Sequence, residues 1–220
     1  MKYRAVLFDC DGVLVDSEGI TNEVLRVMLH ERGWSLSAQQ CMDIFLGRAV
    51  KDLQDQIELH TAQPLTQEWM QQFRERSDQS LQAELVAIPH AVAAVQQIHS
   101  DYAGRIACAS GADRGKLVLQ LNKVGLMPFF EGRIFSGHEV PRSKPHPDVY
   151  LAAAAALGIS ASACAVVEDT STGARAGLAA GATVLGYCPS GPGHSSAQQL
   201  RELGVQLIFS DMAQLPELLN

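Results

Sequence analysis

Residues 5 to 18 read AVLFDCDGVLVDSE and constrain the fold more than any other part of the chain. The apolar first half is typical of a buried strand, and two acids, Asp9 and Asp11, follow where that strand ends. Because side chains alternate faces along a strand, both carboxylates begin on one side of its carboxyl end, where open α/β sheets bind ligands. A simple strand-to-turn junction is an alternative of similar weight, because Asp and Gly are also good turn residues.

Short apolar runs alternate with longer helical patterns from about Ile88 onward. The runs are rich in Val, Ile and Ala, and the alternation is typical of β-α units around a parallel sheet. One helix is predicted from Pro147 to Leu157, because Pro stands at its first position and Gly158 just past its end. The predicted strands are Arg4 to Phe8, Arg105 to Ala109, Arg133 to Ser136, Ala163 to Val167, Thr183 to Tyr187 and Gln206 to Phe209.

The segment from Glu18 to Leu85 follows a helical period instead. Its apolar residues recur at helical spacing, and Ser37 with Gln40 forms a capping-box start for its second helix. No convincing strand lies within it. We therefore predict an α/β protein with a Rossmann-like parallel-sheet core of residues 1–16 and 87–220, into which an all-helical cap domain of residues 17–86 is inserted.

Composition limits the partners and the compartment. The formal net charge of -7 argues against a general nucleic-acid or anionic-membrane binder, which needs an excess of Lys and Arg on one face. Asp9 and Asp11 interrupt the N-terminal apolar run, and no stretch of roughly eighteen apolar residues follows, so we expect neither a secretory leader nor a membrane helix. The cysteines are widely spaced without a C-x-x-C pair, which suits a reducing compartment. We expect a cytoplasmic monomer that binds neither nucleic acid nor membrane.

Two further motifs follow later predicted strands. Ser110 and Gly111 come directly after the second strand, where a hydroxyl and backbone N–H groups before a helix would form a phosphate site. An ordinary strand-to-helix turn is the alternative there. Lys144 lies in the loop SKPHP, between Ser143 and two prolines, and a helix follows. Such a loop fixes a lysine better than most, although a lone lysine is usually a solvated surface charge.

A third motif ends the fourth predicted strand with two acids, Glu168 and Asp169. The alternative is a helix start at which Asp169 or Ser171 caps the first N–H groups. If these acids meet Asp9 and Asp11 at one sheet edge, they repel one another, so the site needs a hard cation with oxygen ligands. Mg²⁺ is the natural candidate.

In chain order, these motifs resemble those of the haloacid dehalogenase superfamily. The family pattern combines D-x-D-G-[VT]-L-x-D-[ST], a Ser after the second core strand, a Lys before P-x-P, and E-D-[ST]-x-x-G. The nearest resemblance is to the β-phosphoglucomutase-like subgroup, which contains both simple phosphatases and sugar-phosphate mutases. The segment from Met212 to Leu218 is also similar to the ending of bacterial 6-phosphogluconate phosphatases.

The resemblance implies which residues act. Asp9 is the nucleophile that becomes phosphorylated, while Asp11 protonates the leaving oxygen and later deprotonates the attacking water. The implied phosphate-binding residues are Ser110, Gly111 and Lys144, and of these Ser110 and Lys144 also offset charge during catalysis. The implied Mg²⁺ ligands are the carboxylates of Asp9 and Asp169, the backbone carbonyl of Asp11, and Glu168 directly or through water.

The implied activity is that of a Mg²⁺-dependent phosphomonoester hydrolase, which acts on a small phosphorylated metabolite, a sugar or sugar-acid phosphate, through an aspartyl phosphate. Asp11 sets this chain apart from family dehalogenases and phosphonate-cleaving members, which lack an acid at that place. In the family the helical insert closes over the site, so Arg48, Lys51 and Arg76 are candidate substrate contacts. For each of them, a solvated surface charge is the alternative.

Two other functions stay open. In a β-phosphoglucomutase-type isomerase, the phosphoenzyme waits for a second hydroxyl of the substrate. Two residues of that pattern are missing here, since Thr21 replaces the histidine of its first cap helix and Val50 replaces its cap-loop arginine. Their loss favours hydrolysis. The second alternative is a non-catalytic regulatory module that binds phosphate or Mg²⁺.

Overall fold

The chain forms two compact units in a computed structural model that describes residues 2–45, 48, 50–191 and 193–220. The core unit comprises Met1–Asp16 and Val86–Asn220, and the helical unit comprises Ser17–Leu85. Val86, which the sequence assigned to the helical segment, groups with the core unit, and its carbonyl accepts a hydrogen bond from the Asp16 N–H at 3.1 Å. The core unit is therefore built from two separate pieces of sequence.

A parallel sheet forms the centre of the core unit. Its strands are β1 Ala5–Phe8, β2 Ile106–Ser110, β3 Ile134–Ser136, β4 Cys164–Glu168, β5 Thr183–Tyr187 and β6 Leu207–Phe209. Within the described residues they form one six-stranded sheet in the order β3-β2-β1-β4-β5-β6, and every neighbouring pair is parallel. All the predicted strands are confirmed, and the α/β fold class with them.

The strand order creates a crevice beside β1. Within the sheet, β2 and β3 lie on one side of β1. The later strands β4, β5 and β6 lie on the other side of β1. At such a switch point the loops after neighbouring strands diverge, which leaves a crevice at the carboxyl ends. β1, β2 and β4 are buried along their whole length, as expected for parallel strands that are covered on both faces.

Helices supply the rest of both units. Those of the helical unit are α1 Glu18–Glu31, α2 Ala38–Phe45, α3 Gln54–Thr61 and α4 Gln67–Glu84. Those of the core unit are α5 Ala91–Asp101, α6 Arg114–Lys123, α7 Met127–Phe130, α8 Asp148–Ala156, α9 Ser171–Ala179, α10 Ala197–Glu202 and α11 Leu215–Leu218. Among the residues that the structure describes, no helix combines the length and the apolar character that crossing a membrane requires.

The helical unit has an apolar core of its own and, over its described residues, no strand. The predicted capping box is present at the start of α2: the Ser37 N–H donates to Gln40 Oε1 at 2.9 Å, and the Gln40 N–H donates to Ser37 Oγ at 3.1 Å. These two bonds satisfy N–H groups that a helix start leaves without intrahelical partners. The buried apolar cluster comprises Leu25, Met28, Leu29, Trp34, Cys41, Phe45, Leu53, Ile57 and Trp69.

Helix α8 packs directly on the sheet. The helix predicted there is confirmed, and it begins after Pro147. Its residues Ala153 and Ala154 belong to the apolar cluster that includes side chains of β1, β2 and β4. Small side chains let a helix approach a sheet closely. This approach brings Tyr150, one turn earlier on the same helix and fully buried, beside the end of β4.

Candidate active site

The predicted site residues follow neighbouring strands of the sheet. Phe8, the last residue of β1, pairs with Cys108 of β2 and with Val167 of β4. The Asp9 N–H donates to the Val167 carbonyl at 3.0 Å, so Asp9 lies level with Glu168, the last residue of β4. The acids at the ends of β1 and β4 therefore lie at one edge of the sheet, although the two strands are far apart in the sequence.

An acidic cluster forms at this edge. Carboxylate oxygens of Asp9, Glu168 and Asp169 lie within 4.8 Å of one another, and all three residues are buried. Buried like charges at such a distance are costly unless a cation neutralises them or a proton is taken up. Burial, only partly offset by the charge of Lys144, raises the pKa of Asp9 to about 7.

Lys144 supplies the positive charge inside this cluster. Its Nζ lies 2.9 Å from Asp9 Oδ1 and 2.7 Å from Glu168 Oε1, and its side chain is 7% exposed. The alternative of a solvated surface lysine is therefore wrong. Burial lowers the pKa of Lys144, but the charges of Asp9 and Glu168 outweigh it, so the pKa lies above its usual value and the amine stays charged.

Glu168 is fixed by donors from three sides. The Tyr150 hydroxyl donates to Oε1 at 2.7 Å, while the Asp169 N–H at 3.1 Å and the Thr170 Oγ1 at 3.2 Å donate to Oε2. A Cβ at Gly173 would overlap with the Glu168 carboxylate. The glycine of the E-D-[ST]-x-x-G motif therefore makes room for this buried acid.

Helix α9 is capped by a threonine. Its N-cap is Thr170, whose Oγ1 accepts a hydrogen bond from the Gly173 N–H at 3.1 Å. The alternative in which Asp169 or Ser171 caps this helix is therefore wrong. The Asp169 carboxylate turns instead towards the acidic cluster.

Asp169 lies against the turn that follows β1. A Cβ at Gly12 would overlap with Asp169 Oδ2, and Gly12 has a φ of +75°, a conformation that favours glycine. His194, from the loop after β5, lies with its Nδ1 2.9 Å from Asp169 Oδ2. Burial lowers the pKa of His194, although the charge of Asp16 acts in the opposite direction. Both contacts hold the carboxylate at the edge of the sheet.

Asp11 is held by helix α6. Lys116 Nζ lies 2.9 Å from Asp11 Oδ1, and Gln120 Nε2 donates to the same oxygen at 2.7 Å. Gln120 is fully buried, and its Oε1 accepts a hydrogen bond from Cys10 Sγ at 3.4 Å. The second acid of the D-x-D-G motif is thus fixed by a neighbouring helix as well as by its own turn.

Ser110 is the last residue of β2 and is buried. Its Oγ accepts a hydrogen bond from the Ala112 N–H at 3.2 Å, whereas the N-cap of α6 is Asp113. Ser110 is therefore not used to cap the helix. A Cβ at Gly111 would lie 3.7 Å from Ser143 Oγ, which places the end of β2 against the loop that carries Lys144.

The sequence matches the model of the haloacid dehalogenase-like hydrolase family over residues 3–181. The chain belongs to this family. A solved structure of a HAD family hydrolase from Deinococcus radiodurans R1, which contains bound phosphate and sodium, is 34% identical with a TM-score of 0.81. The match covers 99% of this chain and 95% of that chain.

Curated relatives in the family carry phosphatase names. The 6-phosphogluconate phosphatase of Escherichia coli (strain K12) is 28% identical over 218 residues, which cover 99% of this chain and 95% of that protein. Hexitol phosphatase A of the same strain is 29% identical over 197 residues, which cover 84% of this chain and 83% of that protein. The suspected family is therefore confirmed.

The three candidate substrate contacts, Arg48, Lys51 and Arg76, belong to the helical unit. Arg48 and Lys51 are exposed, and Leu46, Gly47 and Ala49 lie outside the described residues. The Arg76 guanidinium binds Glu31 of α1, with Nη1 at 2.7 Å and 2.9 Å from the two carboxylate oxygens. This ion pair ties α4 to α1, and a substrate contact of these side chains stays a prediction.

Sequence reasoning missed the residues that hold the motif side chains in place. Tyr150, Lys116, Gln120 and His194 contact Glu168, Asp11 or Asp169, yet none belongs to a family motif quoted above. One available signal was the spacing of Lys116 and Gln120, which places both on the same face of α6. For His194, the sequence showed only a glycine-rich loop after a strand, with no pattern that pointed to a contact with Asp169.

Proposed function

We propose that this chain is a Mg²⁺-dependent phosphomonoester hydrolase that acts through a phosphorylated Asp9. The observation that carries the proposal is the position of Lys144, whose Nζ contacts both Asp9 and Glu168 within a buried acidic cluster. A buried carboxylate at the end of a strand, with a fixed cation beside it, is the arrangement that in-line attack on a phosphoryl group requires.

The acidic cluster fits a magnesium ion. Its donor atoms are carboxylate oxygens, which hard divalent cations prefer, and three of them converge from Asp9, Glu168 and Asp169. Lys144 offsets only part of their negative charge. The proposed ligands are the carboxylates of Asp9 and Asp169 and the backbone carbonyl of Asp11, with Glu168 acting directly or through water. When bound, Mg²⁺ would offset negative charge on the phosphoryl oxygens.

The first half-reaction transfers the phosphoryl group to Asp9. A carboxylate oxygen of Asp9 attacks phosphorus as the bond to the leaving oxygen breaks, and Asp11 gives its proton to that oxygen. Lys144 and Ser110 offset charge on the phosphoryl oxygens. The products are a free alcohol, ionised Asp11 and an aspartyl phosphate on Asp9.

The second half-reaction returns the enzyme to its starting state. Water attacks the phosphorus of the aspartyl phosphate, Asp11 takes a proton from that water, and the bond between phosphorus and Asp9 breaks. Inorganic phosphate leaves, and Asp11 is again protonated. The sum of both steps is hydrolysis of one phosphate ester by one water molecule.

The names of the relatives support a phosphorylated sugar derivative as the substrate, since they act on 6-phosphogluconate and on a hexitol phosphate. We propose a sugar or sugar-acid phosphate for this chain. We also propose that the helical unit serves as the cap, with Arg48, Lys51 and Arg76 as its candidate substrate contacts.

Phosphate release tests the proposal. Wild-type protein should release phosphate from p-nitrophenyl phosphate with Mg²⁺ and not after chelation, and a panel of sugar, sugar-acid and nucleotide monophosphates would rank the substrates. Asp9→Asn should abolish turnover, whereas Asp101→Asn, which changes an exposed acid of α5, should not. A fully active Asp9→Asn protein would exclude Asp9 as the nucleophile.

Two outcomes of these assays point to the other functions. If β-glucose 1-phosphate becomes glucose 6-phosphate without release of free phosphate, the chain is a mutase. If Mg²⁺ and phosphate bind but no ester of the panel is cleaved, the chain is a regulatory binding module.

A further inference from the structure

Helix α6 carries two side chains that contact Asp11, the acid proposed to protonate the leaving oxygen. Lys116 and Gln120 lie one helical turn apart, and both reach the same atom, Asp11 Oδ1, at 2.9 Å and 2.7 Å. We propose that Lys116 and Gln120 are positioning residues, which hold the Asp11 carboxylate in the orientation that proton transfer to the leaving oxygen requires. This inference rests on the proposed phosphatase function.

The contact with Gln120 separates this arrangement from an ordinary surface ion pair. Gln120 is fully buried, although glutamine is rarely found so deep unless its amide is hydrogen-bonded. Both polar atoms of its amide are hydrogen-bonded: Oε1 accepts from Cys10 Sγ, and Nε2 donates to Asp11. Cys10 stands between the two acids of the motif, so one buried amide contacts both Asp11 and the residue before it.

Lys116 adds a charged donor from the first turn of the same helix. Its side chain is 24% exposed and that of Asp11 is 15% exposed, so the pair is shielded from solvent more than a typical surface ion pair. The backbone N–H of Lys116 also donates to the capping carboxylate of Asp113 at 3.0 Å, and this bond fixes the start of α6. Two donors from one rigid helix leave the Asp11 carboxylate little freedom to rotate.

A general acid contributes only when its proton lies close to the leaving oxygen, because proton transfer needs hydrogen-bond distance in the transition state. Loss of either donor should therefore slow cleavage of esters whose leaving oxygen needs a proton. It should have little effect on esters whose leaving group departs as a stable anion. The donors thus act through Asp11, without touching the substrate.

Two aryl phosphates of nearly equal size provide the test. Phenolate is about as basic as a Tyr side chain, with a pKa near 10, whereas p-nitrophenolate is a much weaker base and leaves without a proton. The quantity to compare is the ratio of kcat/KM for p-nitrophenyl phosphate to kcat/KM for phenyl phosphate. For this mechanism kcat/KM covers only the steps up to formation of the phosphoenzyme, in which the leaving group departs. The ratio therefore reports on protonation of the leaving group.

We expect this ratio to rise about tenfold in Gln120→Met, in the same direction as in Asp11→Asn, and to rise less in Lys116→Met, because loss of the lysine charge also makes Asp11 easier to protonate. Lys123→Met removes a lysine from the exposed end of the same helix and should leave the ratio unchanged. Partial misfolding lowers the activity on both esters by the same factor. The ratio therefore describes only the molecules that are folded.

The outcomes separate the inference from the proposed function. Equal losses on both esters in Lys116→Met and Gln120→Met, with a raised ratio in Asp11→Asn, would overturn the positioning role and leave the phosphatase intact. A ratio that is unchanged even in Asp11→Asn overturns the acid role of Asp11 and the inference with it. If wild-type protein with Mg²⁺ cleaves neither ester, the proposed function fails and the inference fails with it.

Discussion

Replacing Tyr150 with Phe removes one hydroxyl from the most buried part of the site and leaves the ring in place. That hydroxyl donates to Glu168 Oε1 at 2.7 Å, and both residues are fully buried. Burial and the charge of Glu168 raise the pKa of Tyr150 well above its usual value, so the phenol remains a donor at neutral pH. A hydrogen bond to a charged acceptor contributes about 1.5–3 kcal/mol, so the free energy of unfolding should fall by about 2 kcal/mol.

Tyr102→Phe is the matched control. Tyr102 is almost as deeply buried, but its hydroxyl donates at 3.0 Å to the backbone carbonyl of Leu219, which is a neutral acceptor. For this bond we expect a loss of about 1 kcal/mol. Urea unfolding of the metal-free protein, followed by circular dichroism, measures both values. A loss in Tyr150→Phe that is no larger than the loss in Tyr102→Phe would refute the claim that this hydroxyl stabilises the Glu168 carboxylate.

Three further predictions concern the metal site and the helical unit. Mg²⁺ binding should release protons near neutral pH, because burial raises the pKa of Asp9 to about 7 and coordination needs the ionised carboxylate. Calorimetry should therefore show an apparent affinity that is constant above pH 7 and falls about tenfold per pH unit below it; an affinity independent of pH contradicts this. Gly173→Ala should weaken Mg²⁺ binding about tenfold or more by displacing Glu168, whereas Gly19→Ala, where nothing lies within 4 Å, should bind normally. Equal affinities would exclude a role for Glu168 at the metal. Arg76→Ala should lower the free energy of unfolding by less than about 1 kcal/mol, because its ion pair with Glu31 is exposed, and a loss of several kcal/mol in urea unfolding would show that the pair is more important.

The strands and the strand-end motifs could be predicted because their signals are local. An apolar run followed by Asp9, or by Glu168 and Asp169, is visible within ten residues of sequence. Parallel strands align their carboxyl ends, so a prediction of the sheet already implies that these acids meet. The burial of Lys144 between Asp9 and Glu168 fits the same reasoning, since its loop follows β3.

The supporting contacts could not be predicted in this way. Gln120 meets Asp11 because of where α6 lies relative to the turn after β1, and no local pattern encodes that placement. Tyr150 reads as one of many apolar residues of α8 until the packing of that helix places its hydroxyl on Glu168. Such contacts depend on the relative placement of whole elements, which a single sequence specifies only through the complete fold.

The interruption of the core unit by residues 17–85 also determines the order in which its parts become available during synthesis. β1 leaves the ribosome before its neighbours in the sheet, β2 and β4, which begin only at Ile106 and Cys164. The helical segment, which carries an apolar cluster of its own, can fold in the interval. Until β2 and β4 emerge, the nascent chain exposes an uncovered apolar strand, and we expect chaperones to be needed most during that period.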